Sequence, residues 1–201
     1  MHFSELYEYA NGLDEPFVQL DLLVKRIIAH HPHIGDVNYY PVDVNPDIMI
    51  AHMLYERDRS SPYEEDFTVA NIRYWQGLDH PPYWLRRWVC CKELMHVFDT
   101  ADEKTNTRER FVQLLDELTS NRILEDASPM FASEGEAMWM ALAVLCPAKL
   151  RAQHRPRWIA REVTDYDVAL ALKLPEALVP SIMSDYYDVA LERLLKKDCH
   201  K

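Results

Sequence analysis

The segment Cys91-Lys92-Glu93-Leu94-Met95-His96 carries most of the elements of a hydrolytic metal site. Side chains four positions apart on a helix project from one face. A zinc peptidase uses that spacing for two histidines, and the glutamate beside the first activates the metal-bound water. Here Lys92 stands where the first histidine belongs, so Glu93-x-x-His96 is what remains of the pattern. A site of the two-histidine type takes its third ligand, a glutamate, from a downstream helix. Glu136 is a candidate, but Ser133-x-x-Glu136 also reads as a capping box, in which the carboxylate serves the Ser133 backbone instead. On the residues alone the cap is the favoured reading.

Other side chains invite chemistry and have simpler readings. His30-His31-Pro32-His33 offers three imidazoles, on a segment that proline ends and that fixes no geometry. His52 or His80 would have to replace the missing ligand. His80 lies about 24 Å from His96 along a continuous helix axis, which disfavours it. Cys90 and Cys91 beside Lys92 suggest a lowered thiol pKa, yet small buried apolar residues are the plainer account. Trp84, Trp88 and Trp139 fit a core stripe better than a substrate groove.

The elements that must position these residues follow from periodicity. Residues 14–31 read as an amphipathic helix bearing Phe17, Leu20, Val24, Ile27 and Ile28. Residues 37–44 and 48–55 are rich in β-branched and aromatic side chains, and 56–66 form a charged loop. Phe67–Trp75 alternates like a strand. From Pro81-Pro82 a helix runs to about Phe98 with Trp84, Trp88, Cys91 and Met95 on one face. A second covers 103–120, and a third opens at Ser133 and breaks at Pro147. Short helices follow from Thr164 to about Lys196. Helix, a few antiparallel strands, then helices implies an α+β fold.

Composition excludes several classes. The 201 residues carry 22 basic and 33 acidic side chains, a formal charge of −11, which argues against direct nucleic-acid binding. Only four glycines occur and no two are close, so a phosphate-binding glycine loop cannot be built. The four cysteines form no C-x-x-C pair, and the first residues lack the basic and apolar regions of a secretory leader. The longest uncharged run around the apolar stretch, Ala137 to Ala148, is too short to span a bilayer. A cytoplasmic protein without membrane association is expected.

Three segments in order resemble one family. Glu136-Ala137-x-x-Met140-Ala141-x-x-Val144-Leu145-Cys146-Pro147 is similar to the E-A-N-x-F-A-x-x-L-L-M-P signature of the ImmA/IrrE zinc metallopeptidases. Arg87 to His96 resembles, in register, that family's R-F-T-L-A-H-E-L-G-H helix. Phe67–Trp75 matches its preceding strand, and Thr164-Asp165-x-Asp167-Val168-Ala169 with Leu174–Leu178 its C-terminal helices. The resemblance covers roughly residues 15–195. Three departures stand out: Lys92 for a ligand histidine, Met95 for glycine and Met138 for asparagine.

The resemblance implies a small zincin-like domain over 1–160, with a short twisted antiparallel sheet packed on helices. A C-terminal helical extension over 161–201 packs on it. It implies His96 and Glu136 as metal ligands, with Glu134 as the alternative third ligand, and Glu93 as general base. Family members act on or beside helix-turn-helix regulators in mobile elements and stress responses. With Lys92 replacing the first zinc histidine, zinc would have two ligands and a neighbouring ammonium. The expectation is a pseudo-peptidase without a cofactor that regulates by binding a protein such as a helix-turn-helix regulator. An active zinc endopeptidase with an unconventional ligand set is the alternative, with zinc as its cofactor. An acidic nucleic-acid mimic is a third class.

Overall fold

The computed structural model describes residues 1–58, 67–119 and 127–198. Among them the chain forms an α+β fold of nine α-helices and one three-stranded sheet. The strands are β1 (Ile34–Val42), β2 (Ala51–Asp58) and β3 (Phe67–Trp75). β3 has the bounds its alternating pattern indicates. It lies in the centre, in the order β1-β3-β2, and its Val69, Ala70, Asn71 and Ile72 are all buried. A central strand covered on both faces loses strict alternation.

The sheet is mixed rather than wholly antiparallel. β2 pairs antiparallel to β3 with Ala51 opposite Tyr74, whereas β1 pairs parallel to β3 with Asn38 opposite Asn71. That pairing joins segments over thirty residues apart, so local sequence carries no sign of it. The register shifts between Ile34 and Asp36, at Gly35. β2 also extends to Asp58, so Glu56–Asp58 belong to a strand and not to the expected loop. The remainder of that loop, 59–66, lies outside the described residues.

The helices differ more in their ends than in their existence. The helix expected at 14–31 is α2, Leu20–His30, stopped before Pro32. A further helix, α1 (Phe3–Gly12), precedes it and buries Phe3, Leu6, Tyr7 and Ala10, one face at helical spacing. α3 spans Trp84–Met95 and tightens into a 3-10 turn at His96–Phe98. α4 is Arg108–Thr119. α5 is Pro129–Leu145 and opens earlier than expected, because Ser128 is its N-cap: the Ser128 hydroxyl accepts from Phe131 N–H at 3.2 Å, with Pro129 at the first helical position. Ser133 is therefore a buried mid-helix residue and not the cap.

α5 is apolar around its whole second half. Ala137 and every residue from Met140 to Cys146 are buried, so it runs through the middle of the core against α1, α3 and α9 (Tyr186–Asp198). Truncating Leu142 to alanine there would cost ~2–5 kcal/mol. Pro147 ends α5 as the sequence indicates, and the chain at once resumes as α6 (Ala148–Ile159), for which no expectation was made. α7 (Asp165–Leu172) opens on a capping box: Thr164 Oγ1 accepts from Asp167 N–H and Asp167 Oδ2 accepts from Thr164 N–H at 2.8 Å.

The segment expected as an extension from 161 packs into the common core. Val168, Leu172, Leu174, Ile182 and Tyr187 belong to the same buried cluster as Phe3 and Ile72. The buried Arg151 on α6 ties it down, donating from Nε to Ile182 O at 2.7 Å and from Nη1 to Asp188 Oδ1 at 2.9 Å. Among the described residues no helix is long and apolar enough to cross a membrane.

Candidate functional site

α3 and α5 pack directly, and their contact assembles the site. Lys92 and Glu93 come from α3, His96 and Asp99 from the turn that ends it, and Ser133 and Glu134 from α5. Lys92 Nζ lies 2.9 Å from Glu93 Oε1 and also donates to Glu134 Oε2. The ammonium therefore bridges two carboxylates from different helices. All three side chains are largely shielded, at 18%, 5% and 23% exposure for Lys92, Glu93 and Glu134.

His96 lies between two carboxylates. Its Nδ1 lies 2.8 Å from Asp99 Oδ2, and its Nε2 lies 3.3 Å from Glu134 Oε1. Ser133 Oγ donates to Asp99 Oδ1 at 2.7 Å and fixes that carboxylate. Tyr55, on β2, donates its hydroxyl to the His96 carbonyl and anchors the turn to the sheet. Burial by itself would drive the His96 imidazole toward its neutral form, but the Asp99 and Glu134 carboxylates outweigh it and raise its pKa to about 10. Burial likewise opposes the Lys92 charge, and Glu93 and Glu134 reverse that effect and raise its pKa. The Glu134 carboxyl, despite its burial, is held down by His96 and Lys92.

Glu136 is elsewhere. Two residues along a helix rotate a side chain by about 200°, so Glu134 and Glu136 cannot share a site. Glu136 instead accepts from Lys197 on α9, which also donates to Glu103 at 2.6 Å. The geometry thus brings Lys92, Glu93, His96 and Glu134 together and leaves Glu136 out. Its alternative role as the Ser133 cap is also absent, since Ser133 faces Asp99.

A cavity of about 300 Å³ opens on this cluster. Lys92, Glu93, His96, Asp99 and Glu134 line its polar end. Its walls are apolar: β2 and the segment before it from Ile48, Trp88 on α3, and Phe111, Leu114, Leu115 and Leu118 on α4. Among the described residues no strand lies beyond β2, so the groove runs along a sheet edge there. His52 also lines the cavity, with its ring 6.2 Å from that of Phe111. Its Nδ1 is buried without a hydrogen-bond partner among the described residues, and burial lowers its pKa.

The residues present do not fit a zinc ion. A catalytic zinc needs three protein ligands and an open position. The Lys92 ammonium already bridges the two carboxylates a cation would use, and Asp99 and Glu134 flank the His96 ring. Among the described residues no group of three or more histidine, cysteine, aspartate or glutamate side chains is arranged to hold a metal. The other candidates fall away from the site. His30 contacts Arg26, His31 packs edge-on against His33 and Phe98, and His80 lines a different pocket. Burial pushes the Cys90 and Cys91 thiols up to about 12, so no lowered pKa arises beside Lys92.

Three participants were not foreseen: Tyr55, Asp99 and Ser133 as a partner of Asp99. The i,i+3 spacing of His96 and Asp99 was a readable signal. Tyr55 had none, because its role depends on strand placement. Comparison of the chain with family models, with curated proteins and with solved structures finds no match.

Proposed function

We propose that this chain is a metal-free binding protein with a zincin-like site, whose groove receives a segment of a protein partner. The observation that carries this reading is the Lys92 ammonium bridging Glu93 and Glu134, where a hydrolase of the resembled family has a metal. A cluster of alternating charges on α3 and α5 holds the two helices in register. It does the orienting work of a metal centre and supplies no activated water. Glu93, hydrogen-bonded to that ammonium, has no metal-bound nucleophile to deprotonate.

The partner is inferred from charge and from the groove. A formal charge of −11 favours a basic protein, and DNA-binding regulators are basic as a class. The apolar walls on α4 and β2 suit the apolar side chains of a partner segment. A helix-turn-helix regulator, the partner class implied by the family resemblance, meets both requirements.

The test mixes the full chain with a panel of helix-turn-helix regulators. The expected result is a stable complex with at least one, weakened by Phe111→Asp and Leu118→Asp, with the partner's intact mass unchanged after long incubation. Cleavage of the partner that a chelator abolishes would support the endopeptidase instead. Binding to none of the panel, or binding indifferent to both groove variants, would overturn the proposal.

A further inference from the structure

A second cavity, of about 550 Å³, shares no lining residue with the groove. It lies between the start of α2, the strands β1 and β3, the first turns of α3 and the end of α7. Its chemistry runs against that of the chain. In a protein of formal charge −11, three cations line it, Arg86, Arg87 and Lys173, against one exposed carboxylate, Asp21.

The cations are not equivalent. Arg86 is neutralised by Asp79 at 2.5 Å. Arg87 donates to the Leu172 and Lys173 carbonyls, at 3.2 and 2.9 Å, and to the Val18 carbonyl. Those contacts cap the C-terminus of α7 but supply no full counter-charge. Among the described residues neither Arg87 nor Lys173 has a carboxylate within ion-pair distance. Burial accordingly lowers the pKa of Arg87 to about 10. Arg87 Nε and the Tyr39 hydroxyl, both in residues of this lining, are buried without a hydrogen-bond partner among the described residues. Such groups are uncommon in native structures and call for an explanation.

Each cation also lies over an aromatic ring. Arg86 is 4.7 Å from the Tyr83 ring centre, Arg87 5.5 Å from Phe17 and Lys173 5.4 Å from Trp84. Lys173 is placed there by a left-handed backbone, φ 55°, which a side-chain-bearing residue adopts at a cost. Ring faces alternating with positive charge are complementary to a flat ligand that carries a negative group.

We infer that this cavity binds a small aromatic carboxylate, its ring among Phe17, Tyr83 and Trp84 and its carboxylate on Lys173 with Arg87 beside it. The volume falls within the ~300–1,000 Å³ of small-molecule sites. Phosphate esters fit less well, because no glycine loop presents backbone N–H groups and both terminal guanidinium nitrogens of Arg87 are already engaged. A singly charged carboxylate matches the Lys173 ammonium, which has no carboxylate partner among the described residues.

The experiment titrates the full chain with 2-naphthoate and, separately, with the uncharged 2-naphthamide, by calorimetry. Naphthoate is expected to bind at least about tenfold tighter than the amide. Lys173→Gln should weaken naphthoate about tenfold and leave the amide unchanged. Leu118→Asp, in the other cavity, should leave naphthoate binding as it is. A folded Lys173→Gln protein with unaltered naphthoate affinity overturns the assignment. So do equal affinities for acid and amide, absence of naphthoate binding, or loss of binding in Leu118→Asp.

Discussion

Lys92 on α3 and Glu134 on α5, 42 positions apart in sequence, form a direct ion pair in the interior of the helix packing. Glu134 simultaneously faces His96, one helical turn beyond Lys92. The pair places a fixed positive charge between two carboxylates where α3 and α5 meet.

Removing that charge should be costly. Lys92→Met leaves the buried Glu93 without an ion-pair partner and Glu134 with His96 alone, with an expected loss of ~3 kcal/mol. In the double variant Lys92→Met with Glu134→Met, one of the two carboxylates left by the ammonium is removed while Glu93 stays, so only part of the loss, ~1–2 kcal/mol, should return. Urea unfolding of the two single variants and the double variant measures the coupling. Strict additivity would show that the two side chains do not interact.

Gly35 sits at the register shift of β1, and space there is closed by Phe67. A Cβ on residue 35 would come within 2.3 Å of Phe67 Cδ2 and 2.9 Å of its Cβ. Gly35→Ala is expected to destabilise by ~1–3 kcal/mol, because the ring cannot move away without its own Cβ. Phe67→Ala in the same chain should relieve the clash and reduce the increment, again by urea unfolding.

Much of the site was legible before the structure, and the omissions have physical causes. The spacing of Lys92, Glu93 and His96 sufficed to put them together along α3 and the turn that ends it. The choice between Glu134 and Glu136 did not follow, because it depends on the rotational phase of α5 against α3. The helix start was misplaced at Ser133 because two serines compete. Ser128 followed by Pro129 was the stronger signal, since proline is preorganised for the first helical position. α1 was readable from the spacing of Phe3, Leu6, Tyr7 and Ala10. The parallel pairing of β1 with β3 is a long-range choice that no local pattern encodes.

Acid sensitivity should trace to His31. Burial lowers its pKa from 6.5 to about 4, with the N-terminal ammonium, His33 and Lys104 adding repulsion. Between those values the unfolded chain binds a proton that the folded chain refuses. Folded stability is therefore fully present above pH 6.5 and declines as pH falls through the window toward about 4. His31→Phe, which keeps an aromatic ring against Phe98, should flatten that decline. Unfolding midpoints measured inside and above the window decide it, and an unchanged slope would assign the sensitivity to other groups.

One substitution should stabilise. Arg161 follows α6 in a left-handed conformation, φ 58°, with its N–H bonded to Trp158 O at 3.0 Å and Glu162 N–H bonded to Arg157 O at 2.9 Å. This is a Schellman ending, which favours glycine at that residue. Arg161→Gly should gain ~0.5–1 kcal/mol, the relief of backbone strain exceeding the added freedom of the unfolded chain. A thermal melt that moves downward would contradict the backbone argument.

The most direct measurement is the metal content of untagged protein prepared without chelators, by elemental mass spectrometry, for the wild type, Glu134→Ala and Lys92→His. The wild type is predicted to carry only trace zinc. Lys92→His, which restores two histidines four positions apart beside Glu134, is predicted to acquire it. Near-stoichiometric zinc in the wild type, lost in Glu134→Ala, would contradict the account: Lys92 would then not hold the place of a metal.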